Sequence, residues 1–225
     1  MKKSTIFLTL AIIGAIATLA AANLKMKNEY AKGKIQAPYV RKELPAFRYI
    51  RQAPDPALRQ SPDFEITVQK NEQPGVSVFF KTPAAFLYTV SNDTLLISAN
   101  PAGKNEFYSA NPIHIYTPSL EYIQLSDGAF IIADADSSHL TAKLSGRTSA
   151  TFKFSHIHSF DLIASDQANA EISSARDIEE ARISLAGRSW LHINDFSIHK
   201  KTLQLGDSVG LHLKGRSIAD FGINH

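Results

Sequence analysis

His192 and His212 stand 20 residues apart, and with Glu171 they are the side chains nearest to a recognisable chemistry. Two imidazoles and a carboxylate are a sensible Zn²⁺ set if a fold lays them side by side. Side by side on a wet face they are also an ordinary surface ladder, and that reading is preferred because no pattern around them supplies the outer hydrogen bonds that orient metal ligands. His156 and His158 would point the same way on a strand. They could equally form a loop. Gly206-Asp207-Ser208-Val209-Gly210 matches G-x-S-x-G, the turn that presents the nucleophile of serine hydrolases. That turn leads from a strand into a helix, whereas Leu211-His212-Leu213-Lys214 alternates like a strand, so Ser208 is read as a turn residue. Glu179-Glu180 and the acids Asp134 and Asp136 suggest the paired carboxylates of a polysaccharide lyase or hydrolase, but they fall in segments read as connecting loops. Trp190, the single tryptophan, would be either a platform on which a sugar stacks or a cover over a corner of the core, with the second preferred. No catalytic, cofactor or metal residue is assigned.

The elements that must position these residues are short strands. The chain has 225 residues, 44% of them hydrophobic and 20% charged, enough to bury a substantial core in one domain. It has no cysteine, so disulfides, a thiol nucleophile and Cys-ligated metal are excluded. Its net charge of +3 is unevenly placed: residues 1–60 carry 11 Lys+Arg against 3 acids, or +8, and the remaining 165 carry 13 against 18, or −5. A basic stalk on an acidic head argues against a nucleic-acid partner.

Residues 6–22 form an apolar run behind Lys2 and Lys3. It reads either as a secretory signal cleaved after Ala20-Ala21-Ala22 or as an uncleaved membrane anchor, because about 17 helical residues nearly cover a ~30 Å hydrocarbon core. The run is somewhat long for a signal, which favours an anchor with the body outside the cytoplasm. The expected organisation is residues 1–23 as signal or anchor, 24–45 as a basic linker with Pro38 and Pro45, and 46–225 as the head. Within the head, Phe47–Ile50, Phe64–Val68, Val76–Phe80, Leu95–Ser98 and Ile113–Tyr116 read as strands, with Pro74-Gly75, Asn92-Asp93 and Asn100-Pro101 as turns. Ser174–Ala181 is the best helical candidate.

From Leu120 the chain repeats. Aligning Tyr122–Gly128, Thr141–Arg147, Asp161–Gln167, Arg182–Arg188 and Thr202–Ser208 puts an anchor at Leu125, Leu144, Ala164, Leu185 and Leu205, in steps of 19, 20, 21 and 20. Two before the anchor come Ile123, Ala142, Leu162, Ile183 and Leu203. Six after it come Ile131, Ala150, Ala170, Leu191 and Leu211, and eight after it Ala133, Phe152, Ile172, Ile193 and Leu213. All three columns are apolar, while the column seven after, Ile132, Thr151, Glu171, His192 and His212, is mostly polar and read as outward. Turns rich in Ser, Asp, Gly and Asn separate the strand pairs, as corners needing positive φ demand. One such coil cannot bury its apolar face, but stacked coils share an interior. The expected fold is all-β, a parallel β-helix of roughly 20-residue coils behind an N-terminal apolar helix, with residues 47–119 forming the first coils and one cap.

Tyr116-Thr117-Pro118-Ser119-Leu120, followed by Leu144-Ser145-Gly146 and Leu185-Ala186-Gly187, resembles the head GIN domain family, described as auto-transporter adhesin heads. The resemblance covers roughly residues 46–220. It implies a right-handed parallel β-helix at the cell surface or in the periplasm, without known catalysis. Three turns depart from the family's Ser-Gly-Ala pattern: Ser126-Asp127-Gly128, Ser165-Asp166-Gln167 and Gly206-Asp207-Ser208. The expected role is a non-catalytic, adhesin-like or structural head in the cell envelope, whose partner is a protein or glycan. A carbohydrate-active β-helix enzyme is the alternative, and end-to-end assembly through unpaired terminal strands is a third possibility.

Overall fold

A computed structural model describes residues 3–31, 39–53, 65–79, 86–99, 113–133 and 137–221, with side chains in the first of these segments described over residues 12–27. Two compact units result, residues 1–38 and 39–225. The first holds helix α1, Lys3–Ala31. Its described apolar side chains, among them Ile12, Ile16, Leu19 and Leu24, are all exposed. Among the described residues no helix is long and apolar enough to cross a membrane. The run expected to do so begins at Ile6, ahead of the first described side chain at Ile12, so only part of the span from 6 to 22 has its side chains described.

The second unit is built from fifteen strands: β1 Tyr39–Glu43, β2 Tyr49–Gln52, β3 Glu65–Lys70, β4 Gly75–Phe79, β5 Phe86–Ser91, β6 Thr94–Ala99, β7 Ile113–Thr117, β8 Tyr122–Ala133, β9 Ser137–Phe154, β10 Ile157–Ala164, β11 Asn169–Ser174, β12 Ile178–Leu185, β13 Trp190–Asn194, β14 Ile198–Leu205 and β15 Gly210–Lys214. A short helix, α2 (Arg216–Asp220), follows. They form a β-solenoid. One parallel stack runs through the first halves of β8 and β9 and on through β10, β12 and β14, and the other through their second halves and β11, β13 and β15.

The repeat read from the sequence is the stacking register. Leu125 pairs with Leu144, Leu144 with Ala164, Ala164 with Leu185 and Leu185 with Leu205. In the other stack, Ala150, Ala170, Leu191 and Leu211 align, as do Phe152, Ile172, Ile193 and Leu213. The first coil differs. Its turn is one residue shorter, with a register shift between Ser126 and Gly128, so Phe130 and Ile132 align with Ala150 and Phe152. Both are buried, and Ile131 and Ala133, expected inside, lie on the outward positions. This slip explains why an isoleucine stood in the otherwise polar column: in an alternating strand, a one-residue shift exchanges the faces. Phe152, Phe154 and Phe160 fill one corner of the interior, with ring centroids 5.1 to 6.0 Å apart.

Ser174–Ala181 is not helical. It is the end of β11, a turn, and the start of β12. Ile178 and Ala181 are buried three apart on β12, and that spacing imitates a helical face. Residues 39–43, inside the stretch read as basic linker, form β1, antiparallel to β4.

Residues 47–119 do supply the first coils and a cap, but not in chain order. β2 pairs in parallel with β8 on one side and with β6 on the other, and β3 likewise lies between β8 and β7. The coil of β2 and β3 is therefore sandwiched between a later coil and the repeat. Thr117-Pro118-Ser119-Leu120 carries the chain across it. Buried Thr117 donates its hydroxyl to Phe47 O at 2.6 Å, and Glu121 N donates to Arg48 O at 2.9 Å. Arg48 bonds the Glu121 carboxylate at 2.9 Å, and that bond, with its charge, raises the guanidinium above its ordinary value. Buried Gln52 accepts from Ser126 N and donates to Asp127 O, both at 2.9 Å, and so satisfies the shortened turn. Beyond this coil the pairing turns antiparallel, β4 on β7, β1 on β4 and β5 on β6, which closes the parallel stack. At the other end α2 covers part of the last coil: Asp220 accepts from Ile198 N at 3.1 Å and Ser217 is fully buried. Leu203, Leu211 and Leu213 are only partly buried there because, among the described residues, no further coil covers them.

Corners are held by left-handed residues in one column: Asp127, Gly146, Asp166 and Gly187, with φ of 66°, 63°, 63° and 65°. Asp and Gly alternate for a steric reason. A Cβ on Gly146 would come within 2.5 Å of Asp127 Oδ1, and one on Gly187 within 2.9 Å of the Asp166 backbone. Asp127 Oδ1 instead accepts from Arg147 N of the next coil at 2.9 Å. The same device recurs where Asp195 Oδ1 accepts from Arg216 N at 3.1 Å beside Gly215.

Two measurements check this account. Leu191→Ala, which opens a cavity in the shared interior, is expected to lower unfolding stability by about 2–5 kcal/mol in urea titration, and a loss under about 1 kcal/mol would contradict the packing. Gly187→Ala combines positive φ with a backbone clash and is expected to cost more than about 1 kcal/mol, whereas Gly206→Ala, with only ordinary contacts at 3.4 Å, should stay within about 0.5 kcal/mol. Equal effects of the two would remove the left-handed corner from the argument.

Candidate functional site

The later corners carry exposed polar side chains where the strands between them bury apolar ones. Next to the left-handed Asp166 and Gly187 stand Gln167 and Arg188, and in the following coil Asp207 and Ser208 occupy the same two columns, without the positive φ. Across the last three coils these corners leave an open depression of about 610 Å³, lined by Asp166, Gln167, Gly187, Arg188, Asp207 and Ser208. All six are exposed. Asp166 Oδ2 accepts from Gly146 N at 3.3 Å and from Ser165 Oγ at 3.2 Å. The side chains of Gln167, Arg188, Asp207 and Ser208 have no partner among the described residues. Two carboxylates against one guanidinium leave the depression with one net negative charge.

Two residues along the coil from Arg188, just beyond the residues that line the depression, stands an aromatic. Trp190 is paired in register with Asn169 on one side and Gly210 on the other, and it is 53% exposed. It does not cover a core corner, the reading preferred from the sequence; it lies on the outer face. A Cβ built on Gly210 would fall 2.2 Å from Trp190 Cε3, 2.5 Å from Cδ2 and 2.6 Å from Cζ3. Near-equal distances to three successive ring atoms describe a point above the ring, not in its plane, so the indole lies face-down on the glycine. Its other face is open. Only glycine permits this close approach.

Farther along the same outer face, His192 and His212 are brought together as the register demands, with Nδ1 atoms 3.3 Å apart and ring centroids 5.2 Å apart. Glu171 turns away, accepting from Asn194 Nδ2 at 2.7 Å. Among the described residues no three ligating side chains are grouped to hold a metal ion. Ser208 lies in the turn between β14 and β15, with a strand following it, and lacks the strand-to-helix context of a nucleophile elbow. His156 stands in the bend before β10 and His158 on that strand, both exposed. Glu179 and Glu180 are not in a loop: they lie on β12, where Glu180 bonds Arg182 at 3.0 Å and Glu179 faces His199 at 3.9 Å. Asp134 and Asp136 lie outside the described residues.

Sequence reasoning singled out Trp190 but missed Asp166, Gln167, Arg188 and Asp207 as a group. Their signal was present in the repeat alignment, two and three places after each anchor, in columns read only as turns.

No family model matches the chain, and no curated protein matches it. Among solved structures it is similar to a Bacteroides fragilis protein named "putative adhesin", at 14% identity and a TM-score of 0.42, covering 78% of this chain and 95% of that one. It is also similar to a "putative lipid binding protein" of Parabacteroides distasonis, at 11% identity and a TM-score of 0.39 over 77% and 95%. A third similar structure is a "putative adhesin" of Parabacteroides merdae, at 10% identity and a TM-score of 0.35 over 79% and 95%. The functional reading therefore rests on the chain's own residues.

Proposed function

We propose that this protein is a non-catalytic head of the cell envelope, adhesin-like in role, that binds a macromolecule outside the cytoplasm through the corners and outer face of its last coils. The observation carrying this reading is the group of unpartnered polar side chains, Gln167, Arg188, Asp207 and Ser208, held beside an exposed tryptophan on a stiff scaffold. Trp and Arg are the side chains that most often anchor interfaces. The resemblance of the repeats to head GIN domains points the same way. Residues 6–22 carry the chain to the envelope, and the exposed apolar side chains of α1 support their burial in an apolar medium. Intact mass of the mature protein is expected to retain residues 1–22 as an anchor; a mature start at Asn23 would make the segment a cleaved signal.

A carbohydrate-active enzyme is less well supported. Asp166 and Asp207 stand two coils apart, about 10 Å by strand spacing, near the separation used in inverting glycoside hydrolysis. Both are exposed, whereas a carboxylic acid that must donate its proton is kept neutral by a desolvated site.

The test is a screen of the full chain in detergent micelles against immobilised glycoproteins, unglycosylated matrix proteins and purified cell-wall polysaccharides. Saturable binding to at least one surface is expected, weakened about tenfold or more in Arg188→Ala/Asp207→Ala. Absence of any saturable surface overturns the reading. Release of new reducing ends, lost in Asp207→Asn, would establish the enzyme instead.

A further inference from the structure

We infer that Trp190 and the adjoining depression form a subsite for a neutral glycan, with one sugar ring stacked on the open face of the indole and its hydroxyls bound by Asp207, Arg188 and Gln167. The inference rests on the binding role proposed above and names the ligand class for the same site.

Three features select a sugar. The first is the platform. With one indole face seated on Gly210 and the other open, Trp190 offers a flat apolar surface that is already in place before a ligand arrives. A pyranose has a matching face of C–H groups, and an aromatic that need not reorganise gives up little conformational entropy on binding. The second feature is the chemistry beside it. A carboxylate accepts from two neighbouring hydroxyls, a guanidinium donates to ring and hydroxyl oxygens, and a primary amide does both. Asp207, Arg188 and Gln167 provide one of each, all exposed and without partners among the described residues. Their positions, two or three residues before Trp190, Gly210 and Asn169 in their own coils, place them along one edge of the platform.

The third feature is charge. Asp166 and Asp207 outweigh Arg188, and the chain beyond residue 60 carries a net −5. Base stacking on an aromatic operates in positively charged grooves, so a nucleic acid is disfavoured, and an acidic polysaccharide meets the same repulsion. An apolar peptide would leave the three polar side chains desolvated and unpaired. A neutral polyhydroxylated ring satisfies both halves.

The single tryptophan makes the site its own reporter. The full chain in detergent is titrated with neutral hexasaccharides based on glucose, mannose, galactose or N-acetylglucosamine, with Trp190 emission and calorimetry as readouts. At least one should shift the emission saturably. Trp190→Ala should weaken calorimetric binding at least tenfold, and Gly210→Ala, which keeps the indole but lifts it from its seat, should weaken it comparably. Circular dichroism unchanged from the parent shows that the exposed substitution leaves the fold intact. No response to any of the four sugars, or undiminished binding by Trp190→Ala, overturns the inference. The two readings can fail separately. Binding to an unglycosylated protein surface without any sugar response retains the interaction head and removes the glycan. Sugar binding without retention on any macromolecular surface retains the subsite and removes the adhesin-like role.

Discussion

The whole head depends on the in-register stacking of one coil on the next. Each strand satisfies its backbone by pairing with strands about 20 residues away in the chain, and that pairing lays apolar columns over one another into a continuous interior. Neither contribution stands alone. A coil without neighbours would expose both its apolar face and its backbone edge, which is why Leu203 and Leu211 in the last coil are only partly covered while their counterparts Ile183 and Leu191 are buried.

Constant register has a consequence at the corners. A chain that turns at the same height in successive coils stacks left-handed residues on one another, here from Asp127 to Gly187, and two adjacent Cβ-bearing side chains would collide there. Asp over Gly resolves the collision, and the aspartate carboxylate takes a backbone N–H of the neighbouring coil. Asp127 is buried at its corner, whereas the corners at Asp166 and Gly187 are exposed, and the residues that follow them, Gln167 and Arg188, carry no left-handed constraint. Around the last three of these corners the coils gather two carboxylates, a guanidinium and an amide, within a few residues of Trp190. The corners are held in place because the interior they close is continuous.

The two ends solve the edge problem differently. At the amino-terminal end the chain inserts its first coil between two later ones and then reverses pairing direction, so that β1, carrying Arg41 and Lys42, forms a charged edge. At the carboxyl-terminal end a single helical turn, tied by Ser217 and Asp220, covers only part of the last coil.

The period, the inward columns from Thr141 onward and the positive-φ corners were legible in the residues after Leu120, because alternation and a 20-residue repeat are local patterns written in side-chain chemistry; the start of β12 was not, since Ile178 and Ala181, buried three apart, imitate a helical face. The slip that turned Phe130 and Ile132 inward was not, since a one-residue deletion in a turn is compensated by pairing rather than by composition. Nor was the placement of β2 and β3 between β8 and the coil of β6 and β7, because which edges meet is decided by the closing of the stack. Trp190 was visible as a candidate, and its outward face follows from alternation with buried Leu191 and Ile193, but how its ring lies depended on a glycine 20 residues away whose missing side chain makes its seat. The grouping of Asp166, Arg188 and Asp207 came from three separate coils. Sequence determined what each coil is made of. The tertiary structure decided which side chains from different coils share one surface, because that depends on pairing between segments the linear chain keeps apart.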